Sequence, residues 1–156
     1  MTVPFLHEYH NDDISSHEAD EKVLITDGNQ VHNLHKDIFY IQDPTLAFVG
    51  VPYYTATFTL FEFQAMAVAA VFSGIASLPT IRDMRTEYLK KVQRLGAGKQ
   101  FHSLKDVEDV YVRDLVDWVN DGRSGFHLPP IQGHTKHWFR ARKAYKEQIK
   151  VLQGKS

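Results

Sequence analysis

The chain has 156 residues, a length at which a single domain buries about 70% of the surface its unfolded chain exposes, so a real core is within reach. Hydrophobic residues make up 43% and charged residues 24%, with a net charge of −1, which excludes disordered and fibrous classes and leaves no overall field to attract nucleic acid or an anionic membrane. There is no cysteine, which excludes disulfides, thiolate metal sites and cysteine nucleophiles and permits a reducing, cytoplasmic setting.

In chain order, the first six residues, with Pro4, Phe5 and Leu6, read as the end of a connection, and no basic stretch precedes an apolar one, so no signal peptide is visible. Residues 7–22 are polar and acidic, an exposed loop or a short helix after Ser16. Val23-Leu24-Ile25 and Val31 flank Thr26-Asp27-Gly28-Asn29, a hairpin signal because Asp-Gly supplies the positive φ of a tight turn. Ile38-Phe39-Tyr40-Ile41 is a second strand candidate, and Gln42-Asp43-Pro44 turns it toward Leu46-Ala47-Phe48-Val49-Gly50. That last run is apolar without alternation, the pattern of a strand covered on both faces of a parallel sheet, with a buried helical turn as the alternative. Gly50 is the residue type that lets backbone approach a ligand closely. The front third is thus read as β-rich.

Thr59 and Glu62 have the spacing of a capping box, and residues 60–72 are almost wholly apolar, which predicts a helix buried nearly all round. The stretch falls short of the ~20 residues a membrane span needs. A buried helix whose N-terminus faces the end of a strand suits a phosphate-bearing or electron-rich ligand; a packed core element with no ligand is the alternative. Gly74 stops this helix, and Thr80 with Asp83 starts another, on which Ile81, Met84, Tyr88, Leu89, Val92 and Leu95 recur at helical spacing before Gly96 ends it. A third helix over residues 106–120 presents Val107, Val110, Tyr111, Leu115 and Trp118 on one stripe, leaving Asp106, Glu108, Asp109, Asp114 and Asp117 as its solvated face. Pro129-Pro130 breaks the chain before a basic helix over residues 135–152 carrying Trp138, Phe139 and Tyr145.

The ordered set Thr26-Asp27-Gly28, Val31-His32-Asn33-Leu34, Ile38-Phe39-Tyr40-Ile41, Pro44 through Gly50, Glu62-Phe63-Gln64-Ala65, Ser73-Gly74 and Leu78-Pro79 resembles the C-terminal part of fungal flavin-containing monooxygenases, over roughly residues 1–120. The resemblance implies an oxidoreductase of the N,N-dimethylaniline monooxygenase type. Such an enzyme uses FAD and NADPH to transfer one oxygen atom of O₂ to a small-molecule amine or sulfur nucleophile. It implies an α/β fold: residues 1–78 as the C-terminal part of a Rossmann-like FAD-binding domain, and residues 79–156 as a helical C-terminal extension. It further implies that Gly50, Thr55, Thr57, Phe58 and Thr59 line the flavin at the helix N-terminus. Thr57 and Thr59 depart from the family in standing where many members have proline.

No Gly-x-Gly-x-x-Gly turn for the pyrophosphate of FAD or NADPH occurs in the sequence: Gly96-Ala97-Gly98 is the nearest approach, but Phe101 holds its third position. In the family, Ala-Thr-Gly-Tyr commonly precedes a segment like Thr2-Val3-Pro4-Phe5-Leu6. The expectation is therefore a chain that starts within a domain, as a truncated gene model, a pseudogene product or a separately encoded fragment, and that binds neither cofactor tightly. The alternative from a different class is a non-catalytic module that docks on an intact relative through an exposed apolar patch. A homo-oligomer is left open.

Five histidines, His7, His10, His17, His32 and His35, crowd the first 35 residues; their neighbours support solvated or hydrogen-bonded side chains rather than a metal site. His134 and His137 beside Arg140 and Arg142 are read as an exposed basic face, and Phe58, Phe61, Phe63 and Phe72 as core.

Overall fold

The computed structural model describes residues 9–152 and 154; His7 and the opening segment Thr2-Val3-Pro4-Phe5-Leu6 lie outside the described residues. The element order is β1 (Leu34–His35), β2 (Phe39–Tyr40), α1 (Thr57–Phe72), α2 (Ile81–Leu95), α3 (Glu108–Gly125) and α4 (Lys136–Leu152). The architecture is mostly helical, and among the described residues the sheet is a single antiparallel pair, with Leu34 opposite Tyr40 and His35 opposite Phe39.

The turn at Asp27-Gly28 forms as expected: Gly28 has φ +79°, Ile25 bridges Val31 antiparallel, and the His32 amide donates to the Leu24 carbonyl at 2.7 Å. The β1–β2 turn carries no glycine, and Lys36 and Asp37 both take positive φ, 54° and 57°. Asp37 tolerates that backbone because its carboxylate is anchored, as described below.

The parallel strand expected at residues 46–49 is not formed. This segment folds back antiparallel on β2 through one bridge, Ala47 to Phe39, with the Tyr40 amide donating to the Leu46 carbonyl and the Phe48 amide to the Ile38 carbonyl. The Asp43-Pro44 turn reverses the chain after only a few residues, so the return runs alongside β2 in the opposite direction. Val49 stays exposed, so the run is not covered on both faces. Among its described residues the front third is joined by isolated bridges rather than built into a larger sheet.

Helix α1 begins at Thr57, with Ala56 at the N-cap and no side-chain cap, so Thr59 lies inside the first turn and the Thr59–Glu62 capping box does not form. The helix is not buried all round either. Leu60, Phe63, Gln64, Ala67 and Ala70 face inward, while Phe58, Glu62, Ala65, Ala69 and Phe72 form an outward stripe at spacings of three and four. Phe58 is 87% exposed and Phe72 56%, which corrects their reading as core; Phe63 is core. Continuous apolar sequence cannot indicate which side of a helix meets the body.

The end signals of α2 are realised. Thr80 Oγ1 accepts from the Asp83 amide at 3.2 Å at the start of α2, and Gly96 ends it with φ +73°. On α3 the inward face is Val112, Leu115, Val116 and Val119, rotated away from the expected stripe, so Val107 and Val110 remain exposed. The largest core cluster joins Ile38 and Phe39 to the inward faces of α1 and α3. Gly122 makes this closeness feasible: a Cβ there would sit 2.3 Å from the Ile75 carbonyl oxygen, beside the turn that leaves α1. Smaller clusters gather Leu24, Leu34 and Tyr40, and Ile41, Met84, Tyr88 and Phe101. Helix α4 buries no residue.

Candidate functional site

The residues expected to line a cofactor lie along the approach to α1 and its first turn. Gly50 has φ +93°, and a Cβ there would come within 2.8 Å of the Phe61 ring, so both backbone and space require glycine. The close approach seen here is thus to Phe61. The Gly50 amide donates to Gln64 Oε1 at 2.8 Å. Thr55 and Thr59 are half-buried, Thr57 is exposed, and Phe58 projects into solvent. The structure keeps these four residues together because they are contiguous with the helix start. It adds Tyr54, exposed and held at φ +60°, to the same turn.

Three residues that the sequence reading did not single out for a site anchor this region. Gln64, fully buried, also donates through Nε2 to Tyr111 Oη at 2.8 Å, and the Tyr111 hydroxyl donates to the Lys36 carbonyl at 2.8 Å. Burial, with the nearby Asp37 carboxylate adding to it, pushes the Tyr111 phenol far above its usual range, so it stays a donor. Glu108, expected on the solvated face, is instead buried. Its Oε1 accepts from the Ala56 amide at 2.7 Å and its Oε2 from Arg142 at 2.9 Å. A polar residue isolated within an apolar helix was the available signal for Gln64. Nothing local distinguished Glu108 from its acidic neighbours.

A second polar cluster lies at the β1–β2 turn. Asp37 accepts from Lys91 Nζ at 2.5 and 2.7 Å and pairs with His102 Nδ1 at 3.0 Å, while His102 Nε2 faces the Val31 carbonyl at 3.0 Å. Burial alone would raise the Asp37 carboxyl, but the His102 hydrogen bond and the Lys91 charge hold it below its ordinary value. Asp37 and Lys91 edge a cavity of about 460 Å³ between α2 and α3, which none of the five expected site residues lines.

Two of the early histidines are buried. His32 hydrogen-bonds Thr26 Oγ1 at 3.0 Å, and His35 approaches Glu87 Oε2 at 3.4 Å with Nε2 unpartnered. Burial pushes both down to about 4. His134 stacks on Trp138 at 3.5 Å and Arg142 serves Glu108, so these two do not form the basic face expected of them. Among the described residues no group of three or more histidines and carboxylates could hold a metal, and no helix is long and apolar enough to cross a membrane.

The structure matches S-allyl-L-cysteine S-oxygenase from Allium sativum with a TM-score of 0.61 and 25% identity, over 88% of this chain and 28% of that one. In sequence the chain is 51% identical to the flavin-containing monooxygenase ustF2 of Aspergillus flavus over 155 residues, covering 99% of this chain and 31% of that protein. It is 60% identical over 124 residues to ustF1 of the same fungus, covering 80% of this chain and 31% of the relative. The chain belongs to the flavin-containing monooxygenase family, as a C-terminal portion spanning about a third of the length of these relatives. No family model matches it.

Proposed function

We propose that the chain is the C-terminal part of an FAD- and NADPH-dependent monooxygenase that oxygenates soft nitrogen or sulfur nucleophiles. In this reading residues 1–78 complete a Rossmann-like FAD-binding domain and residues 79–156 are its helical extension. The division is one of role, since both parts contribute to one core. The observation that carries the reading is the end and outward face of α1: a first turn with no side-chain cap, next to an exposed apolar stripe, in a chain that matches a third of its relatives' length.

The residues present fit one edge of the cofactor. The open N-terminal amides of α1 bear partial positive charge suited to the electron-rich edge of a flavin ring. Thr55, Thr57 and Thr59 offer hydroxyls there, Gly50 keeps the approach narrow, and Phe58 offers an apolar surface that would exclude water once covered. When bound, FAD supplies the redox chemistry, with NADPH as reductant and O₂ as the oxygen source. The seat for the pyrophosphate is missing from this sequence, so the isolated chain is expected to be colourless and inactive.

The test is co-expression with a polypeptide supplying the remaining two thirds of ustF2. A stable complex carrying about one equivalent of FAD supports the reading; no complex, or a complex without flavin, sinks it. Yellow protein from the chain alone would overturn its expected inactivity. The same stripe supports a second reading, a non-catalytic module that docks on an intact relative. Binding to full-length ustF2, with that enzyme's flavin content unchanged, would favour it.

A further inference from the structure

The backbone entering α1 is tied down at every third residue, and each tie leads toward α3. At one end the Gly50 amide donates to Gln64 Oε1, Gln64 Nε2 donates to Tyr111 Oη, and the Tyr111 hydroxyl donates to the Lys36 carbonyl, each at 2.8 Å. In the middle, Tyr53 pairs with the segment just before α3: its amide donates to the His102 carbonyl at 3.2 Å, and its carbonyl accepts from the Leu104 amide at 3.0 Å. At the other end the Ala56 amide donates to Glu108 Oε1 at 2.7 Å, with Arg142 of α4 holding the second oxygen at 2.9 Å. Glu108 and Tyr111 stand three residues apart on α3 and therefore on one face of it.

This loop needs such ties. It makes one isolated bridge, and it holds both Gly50 and Tyr54 in the left-handed region, at φ +93° and +60°. A buried carboxylate is also a costly way to satisfy one amide. An apolar residue of similar shape often serves stability as well, so a charge kept at Glu108 points to a geometric purpose.

We infer that Gln64, Glu108 and Tyr111 are positioning residues that fix the backbone of residues 50–56, and with it the direction of the first-turn amides of α1, for the cofactor. The inference rests on the reading that this turn meets the flavin. It gives the helical half of the chain a part in cofactor geometry: α3 sets both ends of the loop, and α4 reaches it through Arg142. None of the three needs to touch the cofactor. Gln64 and Glu108 act through the Gly50 and Ala56 amides and Tyr111 acts through Gln64, and the burial that keeps the Tyr111 phenol protonated leaves it a donor to the Lys36 carbonyl.

Amide hydrogen exchange in the ¹⁵N-labelled chain tests the ties without any cofactor. Tyr111→Phe should speed exchange at Gly50, and Glu108→Ala at Ala56, each by about tenfold, while Met84 in α2 is unchanged. Glu108→Gln, which retains an acceptor for the Ala56 amide and nearly the same shape, should restore slow exchange at Ala56. It also decides the matter if Glu108→Ala fails to fold. Unchanged exchange at Gly50 in Tyr111→Phe and at Ala56 in Glu108→Ala overturns the inference. In the complex with the remaining two thirds of ustF2, Glu108→Ala should shift the visible absorption band of bound FAD, and Glu108→Gln should restore it. Faster exchange with no spectral shift would leave the ties intact as structure and overturn their role toward the cofactor. Failure of the wild-type complex to form would instead sink the functional reading on which that role rests.

Discussion

Helices α1 and α4 are nearly equal in length, 16 and 17 residues, and are held to the body by opposite means. Helix α1 has one charged residue, Glu62, and buries five side chains against β2 and α3. Helix α4 carries six lysines and arginines and buries none. It is tied by Arg142 to Glu108, by Lys146 to Asp106, and by the contact of Trp138 with His134. Both leave apolar side chains in solvent, but on α4 they are interspersed with charge, as on an ordinary solvated helix. On α1 Phe58, Ala65, Ala69 and Phe72 lie along one stripe whose single charge is Glu62. The inward face of α1 explains why it folds here, and its outward face is apolar beyond anything this chain's own core requires.

The largest expected effect tests the inward face. Leu60→Ala should cost about 2–5 kcal/mol in urea unfolding, because Leu60 is fully buried between α1 and α3 and its loss leaves a cavity. Phe139→Ala on α4 should stay within about 0.5 kcal/mol. Comparable losses from the two would break the contrast.

The ion pairs repeat that contrast. Lys91 meets a carboxylate on Asp37 whose side chain is 3% exposed, whereas Lys146 meets one on Asp106 that is 66% exposed. Asp37→Asn keeps a residue tolerant of positive φ but leaves Lys91 and His102 facing a neutral group, and should cost about 3 kcal/mol. Lys146→Ala should leave the unfolding midpoint unmoved, since an exposed pair contributes little.

Several turns and helix ends were legible in this fold because their chemistry is local, although the Thr59–Glu62 capping box was misplaced, falling in the first turn of α1. Asp27-Gly28, Thr80 with Asp83, and Gly96 each act on backbone within a few residues, and each does so in the structure. The pairing direction of residues 46–49 and the orientation of α1 were not legible. Both depend on which surface an apolar run meets, and the run itself is the same either way. The sequence placed Thr55, Thr57, Phe58 and Thr59 together because they are contiguous, and it gave no view of the ties assembled across the fold. Glu108 reaches Ala56 across 52 positions and Tyr111 reaches Lys36 across 75, and an acidic or aromatic residue on a helix carries no mark of such a partner.

Acid should weaken the front third before the helices. His32 and His35 sit at about 4 in the folded chain against an ordinary 6.5, so they are neutral when folded and take up protons on unfolding below that value. The stability they allow is fully present above pH 6.5 and is lost as the pH falls toward 4. The depressed Asp37 carboxyl contributes stability above its unfolded value of 3.8 and loses it in stronger acid. Urea midpoints should be flat above neutrality and fall through this window. His35→Phe, which preserves a ring edge against Trp118, should flatten the fall, and an unaltered slope would show that His35 is not neutral when folded.

The smallest effect on the isolated chain is expected where the effect on assembly is largest. Replacing both Phe58 and Phe72 with serine removes the two large apolar groups from the outward stripe of α1. Phe58 should contribute almost nothing to folding, and Phe72 only its edge contact with Phe39, so the unfolding midpoint should shift by no more than about 0.5 kcal/mol. If the stripe is the surface that meets the rest of a monooxygenase, the same double variant should lose the complex with the remaining two thirds of ustF2, because the contact is made by the side chains removed. A complex of undiminished affinity would mean that the partner sits elsewhere. A large loss of folding stability would mean that these rings already belong to the chain's own core, and the contrast between α1 and α4 would then be one of charge alone.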